Sequence, residues 1–260
     1  MKLGLAAWSL NRRFGAATLK LLDYPQQVKE EFGLAVIEFI SLFFDSTEKA
    51  YLLELRRRTD AAGARVANLA VSVKGDLASA SDEERRGAVA DCARWFDVAL
   101  AVGSPYVRAF AGGPQEGVCT EDILRASIRS FQELAARARK KGVKIIIENH
   151  GGVISREADH LVRLMKSDRS GFLGMCPDFG NFAAELRYEG LEKVAPWARV
   201  LHAKTREFDA KGEDTRVDVK RCLDIFRRAG FDGDVLVEFE GEMDDHAGVL
   251  KSIELLRRCL

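Results

Sequence analysis

The chain has 260 residues, of which 47% are hydrophobic, and its 40 Lys and Arg balance 40 Asp and Glu. A chain of this length can bury one large core without disulfides, and its many apolar residues exclude intrinsic disorder. A net charge of zero argues against a sequence-independent nucleic-acid binder, which needs an excess of basic residues. No apolar run is long enough to span a membrane.

The five cysteines are odd in number and contain no Cys-x-x-Cys pair, so the sequence predicts reduced thiols rather than a disulfide framework or a zinc knuckle. The opening residues, Met1–Leu5, lack a charged leader and a cleavage site. From both observations we expect a cytoplasmic protein.

Short apolar runs alternate with longer amphipathic stretches along the whole chain. Several of the short runs are continuously apolar, as in parallel strands that are covered on both faces. The predicted strands are Lys2–Trp8, Ala35–Ile40, Arg65–Val71, Tyr106–Phe110, Lys144–Glu148, Phe172–Cys176, Arg199–Ala203 and Val235–Phe239.

The stretches between these strands carry recognisable helix ends. Ser81, Thr120 and Asp218 are predicted N-caps, and Gly142 is predicted to end the helix that follows Thr120. The last helix is predicted over roughly Asp244–Arg258.

Eight strand–helix units of about 32 residues each have the size of βαβ units. An open doubly wound sheet would fit the same alternation, but eight units in this length favour a closed (β/α)8 barrel. No Gly-x-Gly-x-x-Gly motif follows the first strand, which disfavours a dinucleotide-binding fold. We therefore predict one domain over residues 1–260, a single (β/α)8 TIM barrel.

Each of the last four predicted strands ends in a side chain that can bind a metal: Glu148, Asp178, His202 and Glu238. The carboxyl ends of the strands meet at the mouth of such a barrel. One acidic residue in this position is commonly a helix cap or an ion-pair partner, but four ligands on successive strands predict a metal site. Three converging carboxylates would repel one another without a cation.

Three carboxylates and an imidazole, with no thiolate, suit Mn²⁺ or Mg²⁺, while Co²⁺ and Zn²⁺ stay open. Four protein ligands in an octahedral shell leave two positions for substrate oxygens or water. Such an ion can polarise a carbonyl.

Four segments carry a family resemblance: Ile145–Gly152, Asp178–Asn181, Leu201–Lys204 and Leu236–Gly241. Through them the chain resembles, over essentially its whole length, the xylose isomerase-like barrel superfamily of sugar isomerases and epimerases. The resemblance implies that the four residues bind one divalent ion, usually manganese in the epimerases. It also implies that Glu148 and Glu238 flank the substrate carbon from opposite faces.

The activity implied by this resemblance is isomerisation or epimerisation of a keto sugar or keto-glycoside. One glutamate removes a proton alpha to a metal-bound carbonyl, giving a cis-enediolate, and the other returns a proton. A dehydratase or lyase of the inosose dehydratase-like or 3-keto-glycoside-eliminating type would share the first step, and a non-catalytic sugar-binding barrel is a third alternative. Apurinic endonucleases of similar fold use additional histidines, one of them shortly after the aspartate on strand 6; Asn181 in this region and only four histidines in the chain argue against DNA repair.

Six further polar or aromatic residues near strand ends are predicted substrate contacts: Trp8, Glu38, Arg108, His150, Lys204 and Glu240. For some of them a structural role is an alternative. Trp8 could pack in the core, Glu38 and Arg108 could form a buried pair, and Lys204 could pair with a nearby glutamate. The expected partner is a small carbohydrate, with no nucleic acid or membrane, and pairing of barrels through their mouths stays open.

Overall fold

The computed structural model describes all 260 residues as one barrel of eight parallel strands surrounded by helices. The strands lie in the order β6-β5-β4-β3-β2-β1-β8-β7. Isolated bridges Met175–Ala198 and Asp178–His202 join β6 to β7 and close the ring. The predicted (β/α)8 fold is confirmed, with strands β1 Lys2–Leu5, β2 Val36–Ile40, β3 Arg65–Ala70, β4 Tyr106–Phe110, β5 Lys144–Glu148, β6 Leu173–Cys176, β7 Val200–Thr205 and β8 Asp234–Phe239.

Three helices begin at the predicted caps Ser81, Thr120 and Asp218, and Asp244, the predicted start of the last helix, is its N-cap. Ser81, Thr120, Asp218 and Asp244 each accept a hydrogen bond from the backbone N–H three residues later, at 2.8–3.3 Å. Gly142 ends its helix in the left-handed region, with φ of 77°. The ten α-helices are α1 Asn11–Gly15, α2 Tyr24–Phe32, α3 Lys49–Ala61, α4 Asp82–Val102, α5 Glu121–Lys141, α6 Gly152–Ser155, α7 Ala158–Lys166, α8 Arg187–Val194, α9 Val219–Arg228 and α10 Asp245–Cys259. None of them is long and apolar enough to cross a membrane.

Two strand ends differ from the prediction in ways that affect the mouth. The first strand stops at Leu5, and Trp8 lies in a 3₁₀ turn, Ala7–Leu10. The Ser9 hydroxyl donates to Val237 O and accepts from Phe239 N, so β8 holds this turn against the barrel end. The seventh strand continues to Thr205, which places Lys204 inside the strand rather than after it.

The interior of the barrel below the mouth is apolar and tightly filled. It contains a layer of seven buried residues: Ala6, Val36, Ala67, Ile146, Cys176, Val200 and Leu236. All five cysteines are free, as predicted. Gly4 lies against this layer, and a Cβ at this position would be 2.6 Å from both Val36 O and a methyl of Leu236. The close approach of three strands therefore requires a residue without a side chain.

We expect Gly4→Ala to lower the free energy of unfolding by roughly 1–3 kcal/mol, because the added methyl overpacks the barrel. The matched control is Gly87→Ala, in the exposed interior of α4, where nothing lies within 4 Å of the added Cβ. This control should be stabilised by roughly 0.5–1 kcal/mol through helix propensity. Urea unfolding of both variants tests the pair, and equal stabilities would contradict the packing argument.

Candidate metal centre and active site

The carboxyl ends of β5 to β8 bring the four predicted ligands into one cluster. Glu148, Asp178, His202 and Glu238 each offer one ligand atom, and these atoms all lie within 4.8 Å of one another. Glu148 ends β5, Asp178 follows β6, and the other two lie within β7 and β8. All four residues are buried, with 4% exposure or less. We call this group the acidic cluster.

Asn149 positions Asp178 through two hydrogen bonds. Its side-chain amide donates to Asp178 O at 3.1 Å, and its carbonyl oxygen accepts from Asp178 N at 2.6 Å. The Asp178 Oδ1 atom accepts from Gly180 N at 2.8 Å, which leaves Oδ2 without a hydrogen bond. Asn149 lies in the segment Ile145–Gly152 that carries the family resemblance, but no role is predicted for it from the sequence; its position directly after Glu148 is the available signal.

Glu38 positions His202 from below. Its Oε2 atom lies 3.0 Å from His202 Nε2 and accepts from the Asn68 amide at 2.7 Å. The other ring nitrogen, Nδ1, has no hydrogen bond and lies 3.3 Å from Glu238 Oε1. With Nε2–H donated to Glu38, the lone pair of Nδ1 faces the acidic cluster, an arrangement typical of metal-binding histidines.

Asn181 and Arg108 hold Glu148 from two sides. The Asn181 amide donates to Glu148 Oε1 at 3.0 Å, and the Arg108 guanidinium donates to Oε2. Arg108 also lies 3.6 Å from Glu38 Oε2, so the buried pair considered for these two residues exists. Asn181 was noted only as the place where a histidine is missing, and its contact with Glu148 could not be read from the sequence.

Lys204 is the cation at the centre of the site. Its Nζ atom lies 3.1 Å from Glu238 Oε2, 3.1 Å from Glu240 Oε1 and 3.8 Å from Asp178 Oδ2, and it donates to Asn181 Oδ1 at 2.9 Å. Burial alone lowers the pKa of Lys204, but the surrounding carboxylates raise it well above its ordinary value. Lys204 therefore stays charged inside the barrel.

Burial and neighbouring charges shift the pKa values of the cluster residues in different directions. Burial raises the pKa of Asp178 well above its ordinary value, and Glu238 and Glu148 add to this effect against the opposing charge of Lys204. Lys204 and His202 outweigh burial at Glu238 and hold its pKa well below the ordinary range. For His202, burial lowers the pKa, but Cys176, Glu38 and Glu238 together raise it well above the usual value.

The site carries more negative than positive charge. Its five carboxylates are those of Glu38, Glu148, Asp178, Glu238 and Glu240. They face three cations, Arg108, Lys204 and Arg206, the last of which pairs with Glu240 at 2.7 Å. With all five carboxylates ionised and the histidine neutral, the protonation state that metal binding requires, two negative charges are uncompensated, and the buried atoms Asp178 Oδ2 and His202 Nδ1 lack a hydrogen bond. Buried charges and unpaired polar atoms are costly, and one divalent cation would compensate both. The residues present therefore fit a divalent ion.

A cavity of about 290 Å³ opens directly above the acidic cluster. Of the cluster itself, Glu148 and Glu238 line this cavity, whereas Asp178 and His202 lie beneath it. Five of the six predicted substrate contacts also line it: Trp8, Arg108, His150, Lys204 and Glu240. The sixth, Glu38, is completely buried and does not reach the cavity.

His150 lies at the rim of the cavity and stacks on Phe110. The two ring centroids are 4.5 Å apart and the rings are inclined by 23°. The Arg108 guanidinium lies over the Phe110 ring, 5.2 Å from its centroid. The stack leaves His150 exposed at the mouth, where its ring nitrogens can reach a bound molecule.

The family description "xylose isomerase-like TIM barrel" matches residues 26–259. The chain belongs to this family. The sequence-based assignment to the xylose isomerase-like barrels is therefore confirmed. No curated protein matches the chain.

Solved structures with the same fold include several carbohydrate enzymes. D-psicose 3-epimerase with D-tagatose, from Clostridium cellulolyticum H10, has a TM-score of 0.80 at 14% identity, covering 100% of this chain and 99% of that one. The IOLI protein with a bound zinc atom has a TM-score of 0.79 at 17% identity, covering 100% and 98%. The 3-keto-D-glucoside 4-epimerase from E. coli has a TM-score of 0.77 at 16% identity, covering all of both chains. At these identities the likeness establishes the fold.

We expect Asp178→Asn to weaken divalent-metal binding by on the order of 100-fold or more, because it removes a charged ligand from a buried site. The same substitution should not lower the thermal midpoint of the metal-free protein, because burial already raises the pKa of Asp178 and disfavours its charged form. Isothermal titration with Mn²⁺ and thermal unfolding in chelator measure the two effects.

The control for this variant is Asp122→Asn, an exposed residue in the first turn of α5, which should leave metal affinity unchanged. Unchanged metal affinity in Asp178→Asn would contradict the assignment of the cluster as the ion site. So would a large fall in its metal-free stability, because it would show a structural role instead.

Proposed function

We propose that the protein is a divalent-metal-dependent isomerase or epimerase of a keto sugar or keto-glycoside. One observation carries the proposal: Glu148 and Glu238 belong to the acidic cluster and also line the cavity above it, while the other two members are buried below. Two carboxylates are thereby available both to an ion and to a molecule in the cavity. Catalysis by proton transfer at carbon requires this proximity.

The four residues of the acidic cluster would hold the ion. When bound, the ion supplies Lewis acidity that makes the carbon beside a carbonyl more acidic. Mn²⁺ is our first choice, because three carboxylates and one imidazole form a hard, oxygen-rich donor set. The zinc atom bound by the IOLI protein supports metal binding by a barrel of this fold, and the metal content of this protein is a matter for experiment.

The two glutamates would move the proton. Lys204 and His202 hold Glu238 ionised in spite of burial, so its carboxylate can accept a proton. Arg108 and Asn181 fix the orientation of Glu148. One glutamate removes the proton on one face of the substrate carbon, and the other returns a proton from the opposite side.

The remaining polar residues of the cavity would orient the sugar. Lys204, Glu240 and His150 can hydrogen-bond hydroxyl groups, and Arg108 lies beside Glu148 at the floor. We assign Glu38 to positioning His202, because it is completely buried and contacts the ring directly. With these roles assigned, the residues that line the cavity walls would determine which sugar binds.

We expect the Mn²⁺-loaded protein to incorporate solvent deuterium at the carbon beside the carbonyl of a keto sugar, as measured by NMR in D₂O with D-fructose, D-tagatose and 3-keto-glucosides. Chelation should abolish the exchange, and Mn²⁺ should restore it better than Mg²⁺, Co²⁺ or Zn²⁺. A new alkene signal or a released substituent would indicate the elimination chemistry instead. No exchange with any of these compounds would count against the proposal.

Glu148→Gln and Glu238→Gln should each reduce exchange by roughly 100- to 10,000-fold, the usual contribution of a positioned acid or base. Metal content is measured on each variant, because loss of exchange with the ion retained identifies the missing base. Glu242→Gln, at an exposed glutamate outside the cavity, is the control and should exchange at the parent rate. Full activity in both cavity variants would contradict the assigned roles.

A further inference from the structure

The cavity above the acidic cluster has two unlike halves. The half formed by β5, β7 and β8 is charged and lies over the cluster. The half formed by the ends of β1 to β4 is apolar apart from Ser72 and from Arg108, which is bound to Glu148. Its apolar lining consists of Trp8, Ile40, Leu42, Ala70, Val71 and Phe110. Ser72 is the one polar residue among those that line the cavity after β1, β2 and β3. We call this second half the apolar wall.

The apolar wall is unsuited to a free keto sugar that fills the whole cavity. Such a sugar carries an oxygen on every carbon, and a hydroxyl that is buried without a partner costs free energy. On the apolar wall only the Ser72 hydroxyl and the indole N–H of Trp8 could pair with such groups through a side chain. This half therefore favours a part of the ligand that has few oxygens.

Trp8 presents a fixed flat surface within the wall. Its ring is nearly parallel to Phe43, at 12° and a centroid distance of 6.5 Å, and Phe43 stacks on Phe14 at 4.0 Å and 7°. The neighbouring residue Ser9 is bound to β8 through its hydroxyl. The indole is thus supported from behind while 36% of Trp8 stays exposed. A flat, rigid aromatic surface favours another flat ring.

Leu42 extends the same wall towards solvent. It lies in the 3₁₀ turn after β2, and its exposed fraction is 62%. The turn is tied to the end of β3, because Ser72 N donates to the hydroxyl of Ser41 at 2.9 Å. Because Leu42 lines the cavity together with Trp8 and Ile40, it extends a shared apolar surface that suits contact with an apolar group.

The cations near the mouth are already paired. Arg108 is bound to Glu148, Lys204 lies between Glu238 and Glu240, and Arg206 pairs with Glu240. None of these three cations is free to neutralise a phosphate or carboxylate on the ligand, and none of the six residues of the apolar wall carries a charge. The group that meets the apolar wall is therefore uncharged.

From these contacts we infer that the substrate is a keto-glycoside with a neutral aromatic aglycone, its sugar over Glu148 and Glu238 and its aglycone against Trp8 and Leu42. This inference rests on the proposed function and narrows its substrate class. Free keto-hexoses would leave the wall uncovered and would be poor substrates.

The test compares deuterium exchange on D-fructose and on the methyl and phenyl 3-keto-β-D-glucosides, using the Mn²⁺-loaded protein. We expect kcat/KM to be at least tenfold higher for the phenyl than for the methyl glycoside, and lowest for D-fructose. Leu42→Asn should bring the phenyl-to-methyl ratio close to one. The control Leu53→Asn, at a leucine on α3 that is 57% exposed and outside the cavity, should keep the parent ratio.

Three results would overturn the inference. Equal kcat/KM values for the phenyl and methyl glycosides would do so while leaving the proposed function intact. An unchanged ratio in Leu42→Asn, combined with conversion of a dimer to a monomer in sedimentation velocity, would show that the wall is an interface between copies. An unchanged phenyl-to-methyl ratio without such a conversion would show that neither Leu42 nor the apolar wall recognises the aglycone.

A binding measurement separates this inference from the proposed function. If none of the three compounds exchanges deuterium, the proposed function fails, and calorimetry with phenyl and methyl β-D-glucoside tests the wall alone. At least tenfold tighter binding of the phenyl compound, lost in Leu42→Asn and kept in Leu53→Asn, would support recognition of an aromatic aglycone. Equal or absent binding of both compounds would overturn it.

Discussion

Excess negative charge at the mouth of the barrel is the constraint on which the rest of the site depends. Five carboxylates converge where β5 to β8 and the buried end of β2 meet, and three cations accompany them. Such a group is unfavourable in a protein interior unless each charge is paired or a metal ion is bound. The positions of Lys204, Arg108 and Arg206 follow from this need, and so does the fit of a divalent ion to the remaining charge.

A second set of contacts fixes the geometry of the acidic cluster. Asn149 holds Asp178, Glu38 holds His202, and Asn181 links Glu148 to Lys204. Asn149 and Asn181 link the ends of adjacent strands, whereas Glu38 on β2 reaches His202 on β7 across the barrel. Glu148, Asp178 and His202 are thus each oriented by a residue from another part of the barrel. The apolar layer below supplies a rigid base, with Gly4 allowing the strands to approach. Preorganised ligands of this kind lose little entropy when an ion binds.

The fold and the cavity walls carry different information about function. Structures with 14–17% identity share the entire barrel, so the barrel alone does not select a substrate. The acidic cluster suits proton transfer beside a carbonyl, whereas the loops after β1 and β2 provide Trp8 and Leu42 at the entrance. In the proposed function, the chemistry and the choice of ligand are thus placed on opposite sides of one cavity.

The barrel and a candidate set of four metal ligands could be predicted from the sequence alone. Continuous apolar runs and helix caps are local signals, and a polar residue at the end of such a run has a defined place in a parallel barrel. Hence Glu148, Asp178, His202 and Glu238 could be predicted together. Trp8 was placed in a strand, since nothing local reveals the bond between Ser9 and β8 that holds it in a turn. Only the tertiary structure decided that Glu38 lies under His202 and that Asn181 reaches Glu148. These contacts join residues 164 and 33 positions apart, and their geometry depends on strand register and barrel curvature rather than on local sequence.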